Sequence, residues 1–298
     1  MIGGIESLRP EFARRGAEVH CPEFRQIMSE DELIRTVPEF DAWIIGDDPA
    51  TARVFEAAVH GKLRAAVKWG VGTDNVDFEG AKKCGLDVVN TPGMFSQEVS
   101  DVAVAYLIGI ARDLFAIDRG VRVGEWPKPA GMSLTGKTVA LAGFGNVGRA
   151  TARKLLALGM KVIAYDPFYT SDPTLAVENA KWPDRLDEAD FIVLACALTD
   201  SSRGMLNREA LASCKPGVRV VNVGRGPLIQ EAALVEALSS VKVAAAALDV
   251  FEDEPLPADS PLRGFDRCVF GSHNSSNTVE AVHRTSLRAI DLLFERLS

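Results

Sequence analysis

Short apolar runs alternate along the chain with stretches in which apolar residues recur at helical spacing. The pattern predicts a helix over 5–15, a short strand at Glu18–His20, and a helix over 29–37 with Ser29 as its cap and Asp31 and Glu32 in its first turn. A buried strand at 42–46, a helix over 50–60, a strand at 64–70, a helix over 77–84 and a strand at Leu86–Val89 follow. Asn90-Thr91-Pro92-Gly93 breaks the pattern. Beyond it, Gln97 to Asp113 reads as a long helix capped by Ser96 and apolar on most faces, as in a helix buried between domains or subunits. Residues 119–135, with three glycines and two prolines, read as a linker in which Trp126 packs against the fold. The later runs at 138–142, 161–165, 191–198, 219–224, 243–250 and 267–271 read as strands, with helices at 208–212, 230–239 and 278–297. Strands and helices alternating on this scale mean an α/β protein with doubly wound parallel sheets.

The chemistry centres on TVALAGFGNVGRATARKLLALGMKVIAYD, residues 138–166. A strand runs into Gly143, Gly145 and Gly148 in the order G-x-G-x-x-G, then a helix bears Val147, Ala150, Leu155, Leu156 and Leu158 on its apolar side and closes at Gly159. A second strand ends on Asp166, eighteen positions past Gly148. In a dinucleotide site Gly143 permits the tight turn, Gly145 lets the pyrophosphate meet bare backbone, and Gly148 lets helix and strand pack closely. The diphosphate then sits at a helix N-terminus, where free N–H groups favour an anion. Asp166 accepts from a ribose 2′-OH and repels a 2′-phosphate, which selects NAD over NADP.

Three further strand ends carry polar loops: Arg225-Gly226, Phe251-Glu252-Asp253-Glu254-Pro255, and Ser272-His273-Asn274. In a parallel sheet all three lie on the edge that holds the glycine turn. A cation, a carboxylate and a histidine together suit hydride transfer at a carbonyl. Arg225 neutralises a substrate carboxylate and polarises the carbonyl, His273 exchanges the proton, and Glu254 sets the histidine tautomer and holds its pKa up. Taken singly each has a plainer reading: a solvated histidine, an acidic loop, a surface ion pair. The turn Gly70-Val71-Gly72-Thr73-Asp74 offers backbone N–H groups to a substrate carboxylate, or is a simple βα turn capped by Asp74.

The 298 residues suggest two domains. A net charge of −8 with no long Lys/Arg run argues against nucleic acid, and no apolar stretch reaches membrane-spanning length. The N-terminus lacks a signal-peptide pattern, and five scattered cysteines without metal spacing fit reduced thiols in a cytoplasmic protein. No metal site is expected.

The segments KWGVGTDNVD, NTPG, GKTVALAGFGNVGR, CKPGVRVVNVGRGPLI, AALDVFEDEPL and SHNSSNT resemble, in order and spacing, the D-isomer-specific 2-hydroxyacid dehydrogenases, with most similarity to the catalytic core of 3-phosphoglycerate dehydrogenase. The resemblance implies a Rossmann NAD domain at 94–276 and a smaller flavodoxin-like substrate domain at 1–93, completed by 277–298. It implies a catalytic triad of Arg225, Glu254 and His273, and a carboxylate site at the Val71 and Gly72 backbone together with Arg225. NAD contacts would come from Gly143, Gly145, Asn146, Val147, Gly148, Asp166, Cys196, Val223, Asp249 and Asn274. It also implies a homodimer joined through 97–128, and a cleft that closes over the substrate. The substrate would be a D-2-hydroxy acid or its 2-keto acid, 3-phosphoglycerate or a related small acid. Arg53, Lys68 or a residue of the partner subunit would serve a phosphate-bearing tail. The departures are Ser272 and Ala197 where proline is usual, and the absence of a first strand, which means either a lost edge strand or a start upstream of Met1. The rival reading is an NAD(H)-sensing binding module similar to the C-terminal-binding-protein corepressors. A third is oxidation of a substrate such as phosphite or formate.

Overall fold

The computed structural model describes residues 4–22 and 27–297. The chain divides into two compact units, residues 1–95 with 277–298, and residues 96–276.

The first unit is built on a parallel sheet of β1 (Ala42–Ile45), β2 (Ala65–Lys68) and β3 (Val89–Asn90), with Ala42 opposite Ala65 and Val67 opposite Val89. β2 is central and buried along its whole length, as its run of Ala-Ala-Val requires. Helices Glu30–Thr36, Ala52–Val59 and Phe78–Lys83 cover one face with Leu33, Val54, Phe55 and Ala81. The long helix Val279–Leu297 covers the other through Ala289, Leu292 and Leu293. Helix Ile5–Arg14 packs on that long helix through Ile5, Leu8, Phe12 and Ile290.

Local chemistry sets the helix starts. Ser29 and Glu32 form a complete capping box, and Thr51 caps the next helix. Asp77, not Asp74, caps Phe78–Lys83, its carboxylate accepting from the Gly80 amide at 2.7 Å. The strand expected at Glu18–His20 does not form. Val19 gives its carbonyl to Arg9 and His20 stacks on Phe40, so the segment is held by side chains rather than by a ladder. Among the described residues this sheet has three strands.

The second unit holds seven parallel strands: β4 (Thr138–Ala142), β5 (Lys161–Tyr165), β6 (Val177–Asn179), β7 (Phe191–Leu194), β8 (Val218–Asn222), β9 (Val243–Leu248) and β10 (Cys268–Phe270). Their order is β10-β9-β8-β7-β4-β5-β6. The direction of winding reverses between β4 and β7, so a ligand crevice opens at the carboxyl ends of those strands. β6 escapes the pattern because Val-Glu-Asn is short, polar and lies on the sheet edge. β7 stops at Leu194 rather than at 198, because the Gly143 turn packs on the backbone of Ala195 and Cys196.

Helix Ser96–Ala111 includes Ser96 rather than being capped by it. It buries Val99, Ala103, Leu107 and Ile110 within this unit, beside helix Asn146–Ala157. The expected linker is partly helical, since Leu114–Arg122 forms a second helix. Trp126 does not pack: it is 75% exposed, in a stretch that also exposes Leu114, Val121 and Val123.

Candidate active site

Two of the three glycines of the 143–148 turn answer to a measurable constraint, and the third is open. Gly143 has φ +94°, and a Cβ there would lie 2.7 Å from the Cys196 backbone. A Cβ on Gly148 would lie 2.1 Å from the Gly143 carbonyl oxygen, so the helix could not seat on the strand. Gly145, at the N-terminus of helix Asn146–Ala157, has nothing within 4 Å of its missing Cβ. It is an open position on bare backbone, as a diphosphate needs. Gly159 closes the helix at φ +75°. Asp166 follows β5, its carboxylate accepting from the Phe144 amide at 2.7 Å and the Phe168 amide at 2.8 Å. These bonds aim it across the turn and leave a lone pair on each oxygen for ribose hydroxyls. Asn146 is exposed, Val147 is half-buried and Val223 is buried at 7%. Cys196 lies against the Met205 sulfur at 3.7 Å with its backbone beside Gly143, and burial pushes its thiol up to about 11, so it stays neutral.

The three polar loops are brought together by backbone packing. After β8, the buried Asn222 side chain accepts from the Gly224 amide at 3.0 Å and donates to the Arg225 carbonyl at 2.9 Å. The next residue, Gly226, lies so close to the 251–252 backbone that a Cβ would fall 1.8 Å from Phe251 carbonyl atoms. That contact seats the arginine loop on the loop carrying Glu254. Glu254 accepts from the Phe251 amide at 2.9 Å with one oxygen and meets His273 Nδ1 at 2.8 Å with the other. Nδ1 is thereby committed, which leaves Nε2 as the ring nitrogen that can exchange a proton.

The electrostatics follow. The Glu254 hydrogen bond and charge raise the His273 pKa above the usual histidine value, against burial and the Arg225 charge, with Asp249 adding to the rise. Burial pushes Glu254 up, but hydrogen bonds from His273 and the Phe251 amide, with the charges of His273 and Arg225, outweigh it and hold the carboxyl below its usual range. The Arg225 charge is thus felt by both partners.

Asp249 lies beneath this loop and not on an open surface. It is 1% exposed, and its carboxylate is taken up by Asn274, Ser275 and Tyr106. Sequence reasoning missed Ser275 and Tyr106, which lie on different elements and share no motif. In the first unit, the turn after β2 is pinned from β3. Gly70 has φ +112°, its amide donates to Thr91 Oγ1 at 2.8 Å, and Asn90 Nδ2 donates to the Val71 carbonyl at 3.0 Å. Val71 is 41% exposed. Lys68 is buried and donates to the Gly46 carbonyl and to Asp47, while Arg53 pairs with Glu30 at 2.6 Å. Among the described residues no cluster of histidine, cysteine or carboxylate could hold a metal, and no helix is long and apolar enough to cross a membrane.

Residues 104–275 match the family model of the D-isomer specific 2-hydroxyacid dehydrogenase, NAD binding domain. The chain is 39% identical over 276 residues to a hydroxypyruvate reductase of Thermotoga maritima, covering 91% of this chain and 89% of that one. It is 37% identical to a D-3-phosphoglycerate dehydrogenase of Archaeoglobus fulgidus, but spans only 51% of that relative's length. Among solved structures, the TT0316 protein of Thermus thermophilus superposes with a TM-score of 0.88 at 32% identity, over 98% of this chain and 93% of the other. An NAD-dependent formate dehydrogenase of Staphylococcus aureus, solved with NAD, gives 0.83 at 28% identity, over 98% and 88%. With a nucleotide turn that fits NAD, and likeness running the length of the molecule, the chain belongs to the D-isomer-specific 2-hydroxyacid dehydrogenases, as an NAD-dependent oxidoreductase.

Proposed function

We propose that this enzyme interconverts a short, unphosphorylated 2-oxo acid of the glyoxylate or hydroxypyruvate type with its D-2-hydroxy acid. The observation that carries the reaction is the 2.8 Å bond between Glu254 and His273 Nδ1, beside the Arg225 charge. Gly143, Gly145, Asn146, Val147 and Gly148 would hold the NAD diphosphate, Asp166 its ribose, and Cys196, Val223 and Asn274 the face of the site. When bound, NAD supplies or accepts the hydride. In reduction, protonated His273 gives its Nε2 proton to the carbonyl oxygen; in oxidation, neutral Nε2 takes the hydroxyl proton. Glu254 stabilises the imidazolium and fixes the ring. Arg225 binds the substrate carboxylate and polarises the carbonyl. The Val71–Gly72 turn is the proposed backbone cradle for a carboxylate in the first unit.

Two observations favour a short uncharged tail over 3-phosphoglycerate. Lys68 and Arg53, the cations that a phosphate would use in the first unit, are tied to Gly46 with Asp47 and to Glu30. One relative, a hydroxypyruvate reductase, is matched over 89% of its length, whereas a phosphoglycerate dehydrogenase is matched over 51% of its own. The test is a panel of glyoxylate, hydroxypyruvate, pyruvate and 3-phosphohydroxypyruvate with NADH, followed by absorbance. Turnover of the first two is expected; a clear preference for the phosphorylated acid would overturn the substrate assignment. Absence of turnover on any 2-oxo acid would favour the binding-module reading. We also propose a homodimer through 97–128, supported by the exposed apolar side chains of Leu114, Val121, Val123 and Trp126. Sedimentation of the wild type against Trp126→Glu tests it: a dimer is expected for the first and a monomer for the second.

A further inference from the structure

A second carboxylate, outside the triad, governs the histidine loop. Asp249 follows β9, and its main-chain carbonyl accepts from the His273 amide at 2.7 Å. Its side chain accepts from the amides of Asn274 at 3.2 Å and Ser275 at 3.0 Å, and from the Ser275 hydroxyl. Three successive residues of the loop therefore hang from one residue of the sheet edge. The Tyr106 hydroxyl, from helix Ser96–Ala111, stands 3.5 Å from the other carboxylate oxygen, at the outer limit of a hydrogen bond. Gly271 leaves room for this arrangement. A Cβ at 271 would fall 2.1 Å from Asp249 Oδ1 and 2.4 Å from the Tyr106 oxygen.

His273 needs such support. Its φ is +55°, in the left-handed region that a non-glycine residue keeps only where its surroundings over-determine it. The bonds to Asp249 supply that determination, and they act on the backbone while Glu254 acts on the ring. A histidine held this way presents Nε2 in one direction.

We propose that Ser275 and Tyr106 are positioning residues for His273, acting through the Asp249 carboxylate. The proposal rests on the reading of His273 as the proton-exchanging group. Ser275 donates twice to one carboxylate oxygen, from its amide and its hydroxyl, and Tyr106 closes off the other. The charges that reach the imidazole come from Glu254 and Asp249, which favour the protonated ring, and from Arg225, which opposes it. Loosening Asp249 therefore alters both where the ring points and where it titrates. Burial and the Asp249 charge push the Tyr106 phenol up to about 12, so it stays a donor throughout the neutral range.

The experiment compares Ser275→Ala and Tyr106→Phe with the wild type. It reads kcat, KM and NADH affinity with glyoxylate or hydroxypyruvate, and the His273 ring titration by NMR, assigned from the signal lost in His273→Ala. Ser275→Ala should lower kcat roughly tenfold, the effect of one charge-assisted hydrogen bond. KM and NADH affinity should stay within about twofold, since no ground-state contact is removed. The His273 midpoint should shift from its wild-type value, because the Asp249 charge that reaches the imidazole is no longer fixed by the Ser275 hydroxyl. Tyr106→Phe should move the same quantities in the same direction, by less. A Ser275→Ala enzyme with wild-type kcat and an unmoved His273 midpoint would overturn the proposal. If the wild type turned over no 2-oxo acid at all, the dehydrogenase reading of His273 would fall, and the titration midpoint, measured without substrate, would still decide for or against the brace.

Discussion

The two units carry the same device, a glycine turn at the carboxyl edge of a parallel sheet, and equip it differently. In the second unit the sheet edge that carries the turn at 143–148 also carries side-chain chemistry: Asp166 bonded to the turn itself, and Arg225 and the bonded pair Glu254–His273 on the loops after β8, β9 and β10. In the first unit the turn at 70–72 is held by neutral groups, Thr91 and Asn90, and presents backbone. A site that moves protons needs titratable groups with shifted pKa values. A site that only grips a carboxylate needs N–H groups in a rigid loop. Side-chain truncation should therefore be catastrophic in one unit and mild in the other.

The largest effect expected from that contrast is at His273. His273→Ala should lower kcat about a thousandfold with NAD affinity nearly unchanged, as loss of a general acid–base group does. Unchanged turnover would remove the imidazole from the mechanism. Next comes Glu254→Gln. The proposed reduction needs protonated His273, whose pKa is raised, so the wild-type rate should persist above the ordinary histidine range and fall as pH rises through the raised value. Without the Glu254 charge that fall should move to lower pH, with a loss of kcat on the order of tenfold or more. An unshifted profile would mean that the bond at 2.8 Å does not set the titration. Asp166→Ala should raise the NADP to NAD preference about tenfold, read as a ratio of kcat/KM values. A wild type that already uses both equally would refute the role given to Asp166. The smallest effect belongs to the first unit. Thr91→Val removes the bonds to Gly70 and should raise substrate KM a few-fold with kcat held, as expected where only uniform binding is lost. A large fall in kcat instead would erase the contrast between the units.

Most of the second unit was legible along the chain, because its signals are local. The G-x-G-x-x-G turn, Asp166 and the alternation of strands with helices are set by steric limits and hydrophobic period over a few residues. What failed to read correctly was decided by partners remote in sequence. Glu18–His20 has strand-like composition, yet its neighbours are Arg9 and Phe40. Trp126 reads as a buried anchor and stands exposed. β6 is a polar edge that only its pairing with β5 makes a strand.

The sequence by itself determined the class of fold and the nucleotide turn, and it put Arg225, Glu254 and His273 forward as the proposed reactive side chains, since each reading follows from backbone sterics or from the chemistry that a residue type can perform. Only the tertiary structure decided how those side chains are held. Gly226 against Phe251, Asp249 beneath the histidine loop, and Tyr106 from a distant helix are contacts between segments far apart along the chain. Packing geometry, which has no linear period, is what brings them together.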